Sequence, residues 1–353
     1  MRLIDICDFQ GGSQPPKKEW SFECKSGYIR MLQIRDFTQE NSVIPEYVKF
    51  SPKLKTCEED DILIGRYGAS VGKILTGKSG VYNVAIMKSI PDTSKVRKEY
   101  MKYYFKSTIF QNYLLNLGGR AAQAGFSKDD LKKIDFRVIP FEEQDEVINS
   151  FSSLEKAIYL KKQVLLSMDE LIKSRFIELF LSNNQFPIKK WSDVLTIYNG
   201  RDYKANLSDE INGYPVYGSG GFMNVYADKY LCEGTLTIIG RKGTIDKPIL
   251  VKGKIWNIDT AFGIKTNDKI LNPIFFHYRS KFYDYKGMNK QTTKPSLTKT
   301  DLLKLDIELP PIEDQLGFVS FVNQIDKSKF IVQQQIKELQ ELLDKKMDEY
   351  FGE

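Results

Sequence analysis

Apolar residues recur along two stretches of this chain in alternating steps of four and three. In the first they fall at Val147, Phe151, Leu154, Ile158, Leu165, Met168, Ile172 and Leu179, interrupted at Lys161 and Arg175. In the second they fall at Phe318, Val322, Ile325, Val332, Ile336, Leu339, Leu343 and Tyr350, interrupted at Lys329 and Lys346. A 3.5-residue repeat sustained over about four heptads predicts a helix that buries its stripe against another helix. About 36 residues at a rise of 1.5 Å predict rods of roughly 54 Å, too long to leave such a stripe uncovered. The two stretches are each other's obvious partners. Because the first joins two other regions and the second comes last, an antiparallel pair is expected; separate packing of each helix on its own neighbouring region stays open at this point.

Between the stripes the periods are shorter. β-rich runs at Asp61–Ile64, Val81–Met87, Thr235–Ile239 and Pro248–Val251, divided by glycine-containing turns, predict strands. Aromatic-rich helical patterns follow over Tyr100–Leu117 and Pro273–Tyr285. Each leads to a capping box, Ser127-x-x-Asp130 and Thr298-x-x-Asp301. Leu181–Lys190, with Asn183-Asn184 and Pro187, reads as a linker.

This order occurs twice. Ile64-Gly65-Arg66-Tyr67-Gly68 returns as Ile239-Gly240-Arg241-Lys242-Gly243, and Asp130-Leu131-Lys132-Lys133-Ile134-Asp135 as Asp301-Leu302-Leu303-Lys304-Leu305-Asp306. Pro140, Glu143, Gln144 and Phe180 each stand 171 residues before Pro311, Asp314, Gln315 and Phe351. Solenoid repeats run to roughly 20 to 50 residues, so this is a duplicated domain. The expected fold is α+β: two similar mixed α/β domains, 1–141 and 184–312, separated by two long helices, 142–183 and 313–353, that form an antiparallel coiled coil.

Composition sharpens that outline. With 353 residues and 41% apolar content the chain can bury two cores of about 100 to 200 residues each. Its net charge of +6 is unevenly spread. Residues 142–180 carry five basic against eight acidic side chains and 313–353 five against nine, which leaves +13 on the two globular copies. Such an excess is the footprint of a polyanion-binding surface. Cys7, Cys24, Cys57 and Cys232 have neither metal-ligand nor disulfide-framework spacing. No secretory signal pattern and no apolar run of about 18 residues is present, so a cytoplasmic protein without membrane contact is expected.

Catalytic motifs are sparse. Gly72-Lys73-Ile74-Leu75-Thr76-Gly77-Lys78-Ser79 matches the phosphate-loop pattern, but that chemistry needs a long helix after the loop, and Gly80-Val81-Tyr82 reads as strand. Asn272-Pro273-Ile274-Phe275 approaches the tetrapeptide with which amino-methyltransferases hold a flipped adenine, yet lacks its second proline and any methyl-donor loop. His277 is the only histidine, which excludes a histidine triad or a two-histidine metal site within one chain. Its aromatic surroundings predict a structural role. No catalytic residue, cofactor or metal is expected here.

The duplication, the two rods and the Pro-x-x-Glu/Asp-Gln junctions together make the chain resemble a specificity subunit of a type I restriction-modification enzyme over its whole length. The junction signature is Ser127–Gln144 in copy one and Thr298–Gln315 in copy two, the latter with the fuller Leu309-Pro310-Pro311-Ile312-Glu313-Asp314-Gln315. The resemblance implies a noncatalytic reader of double-stranded DNA. Each domain would read half of a bipartite site, while the helices set the gap and dock two methyltransferase subunits, joined in the larger complex by two motor-nuclease subunits. S-adenosylmethionine, ATP and magnesium would belong to those partners. A self-contained methyltransferase or nuclease, and a coiled-coil scaffold without a DNA role, are the rivals. Modification or cleavage by the single chain would mark the first, and salt-insensitive behaviour toward duplex the second.

Candidate DNA-contacting residues follow from side-chain chemistry. Gln33 and Arg35 in copy one carry the groups that pair bidentately with adenine and guanine; copy two has Tyr217-Gly218-Ser219 there, so unlike half-sites are expected. Arg66, Tyr67 and Lys73, with Arg241 and Lys242, lie on repeated glycine-containing loops suited to close phosphate contact. The loops before the capped helices supply Arg120 and Gln123 in copy one, with Lys128 directly after the cap Ser127, and Asn289, Lys290, Gln291 and Lys294 in copy two.

Overall fold

The computed structural model describes residues 1–39, 42–118, 125–182, 186–288 and 296–352. They fall into two compact units, Met1–Lys162 with Gln334–Glu353, and Gln163–Gln333. Each unit therefore takes one segment of each long helix in addition to its own mixed domain.

In the first unit a four-stranded antiparallel sheet runs in the order Cys7–Gly11, Ile86–Pro91, Leu63–Gly65, Ile74–Leu75. A five-stranded sheet follows the order Trp20–Ser21, Glu46–Lys49, Tyr28–Leu32, Gly80–Tyr82, Thr56–Cys57, with Tyr28–Leu32 and Gly80–Tyr82 parallel. The run Val81–Met87, expected as one strand, is two strands in different sheets. Asn83 turns the chain between them: its Oδ1 accepts from the Ala85 N–H at 3.1 Å and its carbonyl from the Ile86 N–H at 3.0 Å.

The second unit fuses the same plan into seven strands: Leu195–Asn199, Ala261–Thr266, Cys232–Gly240, Ile249–Asn257, Tyr214–Gly218, Gly221–Ala227, Leu207–Ser208. The fusion has a local cause. Cys232–Gly240 pairs without interruption with both of its neighbours. In the first unit the matching stretch is divided by an acidic turn, in which Asp61 Oδ2 accepts from the Glu58 N–H at 2.9 Å.

Helices follow the sheets in both units. The expected single helix over Tyr100–Leu117 is Lys98–Lys106 and Thr108–Gly118, broken where Ser107 Oγ donates back to the Tyr104 carbonyl at 2.6 Å. Its counterpart, Pro273–Ser280, stops short of Tyr285. Asn272 caps it, with Oδ1 accepting from the Ile274 and Phe275 N–H groups at 2.9 and 3.3 Å, which accounts for the Asn-Pro-Ile-Phe sequence without catalysis. No helix follows Lys78-Ser79; the chain enters the strand Gly80–Tyr82, as the phosphate-loop pattern could not allow.

The long helices are Phe141–Phe180 and Ile312–Phe351. Within the first unit Val147, Phe151 and Ile158 share a core with Leu343 and Met347, and Phe151 meets the Tyr350 ring edge-on at 6.4 Å. Within the second, Ile172, Phe176 and Phe180 share a core with Phe318, Val319 and Val322. Early positions of one helix meet late positions of the other, so the pairing is antiparallel. The long helices also pack on the domain of each unit: Tyr100 and Tyr104 pack against Phe351 in the first, Phe275 and Phe282 against Phe176 in the second.

The stripe differs from its expected form at two equivalent places. Arg175 and Lys346 are exposed interruptions as expected, but the buried positions beside them are Phe176 and Met347, which the heptad count passes over. There the helices face a domain as well as each other, and burial follows steps of four, as in Ile172, Phe176 and Phe180. The other interruptions are cross-helix polar pairs. Lys161 Nζ donates to Gln335 Oε1 at 2.7 Å, and Lys329 is ion-paired with Asp169. Polar pairs of this kind inside an apolar seam set helix register.

His277 lies on the buried face of its helix, and its Nδ1 has no hydrogen-bond partner among the described residues. Burial, and secondarily the Lys281 charge, push its pKa down to about 3. The folded protein keeps the ring neutral while the unfolded chain takes up a proton below about 6.5, so stability is lost as pH falls through that range. Between pH 6.5 and 5 this loss is expected to be roughly 1.5 kcal/mol. His277→Phe should abolish that increment in urea unfolding followed by tryptophan fluorescence. An identical acid dependence in the variant would refute it.

Candidate nucleic-acid interface

Ile64-Gly65-Arg66 and Ile239-Gly240-Arg241 end matching strands, and the repeated glycine has a steric reason. A Cβ on Gly65 would stand 2.1 Å from the Ser70 carbonyl oxygen, and one on Gly240 1.9 Å from that of Thr244. Only glycine lets the loop fold back so tightly. The arginine that follows is thereby set at the end of an interior strand in both copies.

The segment before each capped helix is tied to that same loop. Tyr67 bridges to Gly125, and the Phe126 N–H donates to the Arg66 carbonyl at 3.3 Å. Likewise Lys242 bridges to Ser296, and the Leu297 N–H donates to the Arg241 carbonyl at 2.9 Å. The first capping box forms in full, the Ser127 N–H donating to Asp130 Oδ2 at 2.8 Å and the Asp130 N–H to Ser127 Oγ at 3.4 Å, whereas the second keeps the cap half alone, the Asp301 N–H donating to Thr298 Oγ1 at 3.1 Å. A third loop arrives from the other strands. Ile34 Cδ1 would touch a Cβ on Gly65 at 3.3 Å, and Ser219 Cβ one on Gly240 at 3.0 Å. Sequence reading treats these loops as separate candidates; the fold brings all three together in each copy.

Their chemistry differs between copies. Arg66 lies 5.0 Å over the exposed Tyr67 ring, with Nε donating to the Phe126 carbonyl at 3.3 Å, so it braces the loop as well as charging it. Lys73 is exposed. Gln33 caps the short helix Ile34–Thr38, and both Gln33 and Arg35 donate to Glu46. Lys128 is ion-paired with Asp8, and its ammonium holds that carboxyl below the ordinary range. In copy two Arg241 and Lys242 are exposed, and Ser219 sits in a glycine turn before Phe222. Arg120, Gln123, Asn289, Lys290, Gln291 and Lys294 lie outside the described residues.

Glu46, Trp20 and Phe22 in copy one escape sequence reading. So does the aromatic run of copy two, where Phe222 packs on Tyr217 at 5.7 Å and on Tyr226 at 5.5 Å. Phe22 is 70% exposed, an unusual position for a phenylalanine. The available signal was aromatic residues beside lysine and glutamine in loops too short to need a core of their own.

A family model described as the type I restriction modification DNA specificity domain matches residues 1–167 and again 183–341. A chain solved in work on complex assembly and conformational transition of the type I R-M system is similar over 99% of this chain and 96% of its own, at 15% identity and a TM-score of 0.64. The type I restriction-modification system S subunit from M. genitalium is similar over 98% of this chain and 94% of its own, at 15% identity and a TM-score of 0.56. At that identity the likeness is one of fold. No helix among the described residues is long and apolar enough to cross a membrane.

Proposed function

The chain belongs to the type I restriction-modification DNA specificity family, and from that premise we propose that it reads a bipartite duplex site on behalf of a larger complex. Each mixed domain recognises one half. The long helices set the gap and dock two methyltransferase subunits, with two motor-nuclease subunits joining in the restriction form. The chain is noncatalytic and cytoplasmic; S-adenosylmethionine, ATP and magnesium act in the partners.

One observation carries this reading. In both copies the glycine–arginine loop, the segment leading into the capped helix and a third loop meet at one end of the sheet, held by equivalent backbone hydrogen bonds. A scaffold would have no need to keep the frame of such a cluster while changing its side chains from Gln33 and Arg35 to a glycine turn with Ser219. Backbone geometry held constant beneath unlike side chains suits two readers of different sequences.

The test is duplex binding by the chain, alone and with its modification subunits, across a salt series. The affinity is expected to fall steeply, with a log–log slope set by the number of phosphates neutralised. Lys73→Ala and Lys242→Ala should each lower the slope by about one and weaken all sequences alike. Binding insensitive to salt would overturn the proposal, and modification of DNA by the chain alone would make it an enzyme instead.

A further inference from the structure

We propose that Glu46 is a positioning residue that holds Gln33 and Arg35 side by side for base reading in the first domain; this rests on the function proposed above. Glu46 lies on the strand Glu46–Lys49, opposite Met31. A single one of its oxygens, Oε2, accepts from Gln33 Nε2 and from Arg35 Nη2. The two donors flank the first residue of the helix Ile34–Thr38. That helix is itself fixed from beneath: Asp36, 4% exposed, accepts from the Gln33 N–H at 2.8 Å and is ion-paired with Arg30.

One carboxylate therefore anchors the helix, and a second gathers the two side chains projecting from its start. The Glu46 side chain is 16% exposed while that of Arg35 is 46% exposed. The acid lies beneath the donors, and the guanidinium reaches solvent. Together they form one wall of an open cleft of about 480 Å³, faced by Trp20, Phe22 and Lys17.

The charge balance points to reading rather than gripping. Arg35 and Glu46 cancel, so the pair adds little to the attraction for phosphate. What it offers is an amide and a guanidinium at fixed separation, the two groups that contact adenine and guanine bidentately. Side chains locked by a supporting partner discriminate better than free ones, because the ordering cost is met before binding. Copy two has the Gly218-Ser219-Gly220 turn here and Phe222 opposite Tyr217, so any effect of Glu46 must be confined to one half-site.

The experiment is selection by the full chain, in its complex, from duplex libraries randomised in the first half-site and separately in the second. Glu46→Gln and Glu46→Asp are each expected to reduce discrimination in the first half roughly 10-fold. Preference in the second half, read by the same molecules, should stay unchanged and reports that the protein remains folded. In a Gln33→Ala, Arg35→Ala background, Glu46→Gln should have no further effect. Unchanged first-half preference in both single variants would overturn the inference, and so would a further loss in the double-alanine background, which would make Glu46 a reader itself. Absence of any bipartite preference in the unaltered protein would instead overturn the proposed function.

Discussion

Replacing Gln144 or Gln315 with leucine is expected to cost about 3 to 5 kcal/mol, a large share of the 5 to 15 kcal/mol that stabilises a typical domain. Both glutamines are fully buried in the first turn of a long helix. Gln144 Nε2 donates to the Ile139 and Lys95 carbonyls at 2.8 and 3.1 Å, while its Oε1 accepts from the Arg97 N–H at 2.7 Å. Gln315 repeats the arrangement, donating to the Pro310 and Ile270 carbonyls at 2.8 and 3.0 Å and accepting from the Asn272 N–H at 2.8 Å. Each side chain thus pairs three backbone groups on the segment before its own helix and on the approach to an aromatic helix. Leucine fills the space and leaves all three groups without that partner, at about 1 to 3 kcal/mol for each that stays unsatisfied. The neighbouring Glu143 and Asp314 are exposed, and their alanine variants should cost less than about 1 kcal/mol, mainly the lost interaction with the helix N-terminus. Urea unfolding of the four variants decides the matter. Glutamine variants no weaker than the acidic ones would mean that the junction is not held in this way.

That junction also shows what a sequence does and does not disclose. Pro-x-x-Glu/Asp-Gln stands out because it occurs twice in register, but nothing in its spacing says that the glutamine faces inward; its partners lie up to 49 residues away and are backbone groups, which leave no trace in side-chain pattern. The long helices were legible because a 3.5-residue stripe is a local property. Their finer form was not, since Phe176 and Met347 are buried by a domain surface that no count along the helix can include. Strand limits failed at Asn83 and helix continuity at Ser107 for a related reason: one side chain bonding to nearby backbone outweighed the apolar run around it.

The candidate site was legible as a set of loops and not as a cluster. Glycine and arginine recurring at Gly65-Arg66 and Gly240-Arg241 pointed to two of them. Their meeting with the segments at Gly125 and Ser296 depends on long-range backbone pairing. Glu46 was invisible for the opposite reason. An acid is a poor guess for a DNA-facing surface until Gln33 and Arg35 are seen to share it.

Removing one heptad from the middle of each long helix, around the Lys161–Gln335 and Asp169–Lys329 pairs, is expected to abolish modification at the original gap while both half-site sequences stay readable. Seven residues are nearly two full turns, so the apolar stripe returns to its face within about 20° and the seam can close again. The helix loses about 10.5 Å. On the reading of the helices as a spacer, that equals roughly three base pairs at 3.4 Å each. A chain seated on one half-site would then miss the other, and losing the base contacts of a half-site removes at least about 3 kcal/mol, roughly 100-fold in affinity. Shortening the DNA gap by three base pairs restores the distance but turns the second half-site through nearly a third of the roughly 10.5-base-pair repeat, so recovery should be partial. A five-residue deletion is the control. It swings the stripe about 140° away from its partner and should impair folding instead of resetting the gap. Methylation mapped on substrates of graded gap length reads all three outcomes, and persistence of modification at the original gap after the matched heptad deletion would mean that the helices do not measure the site.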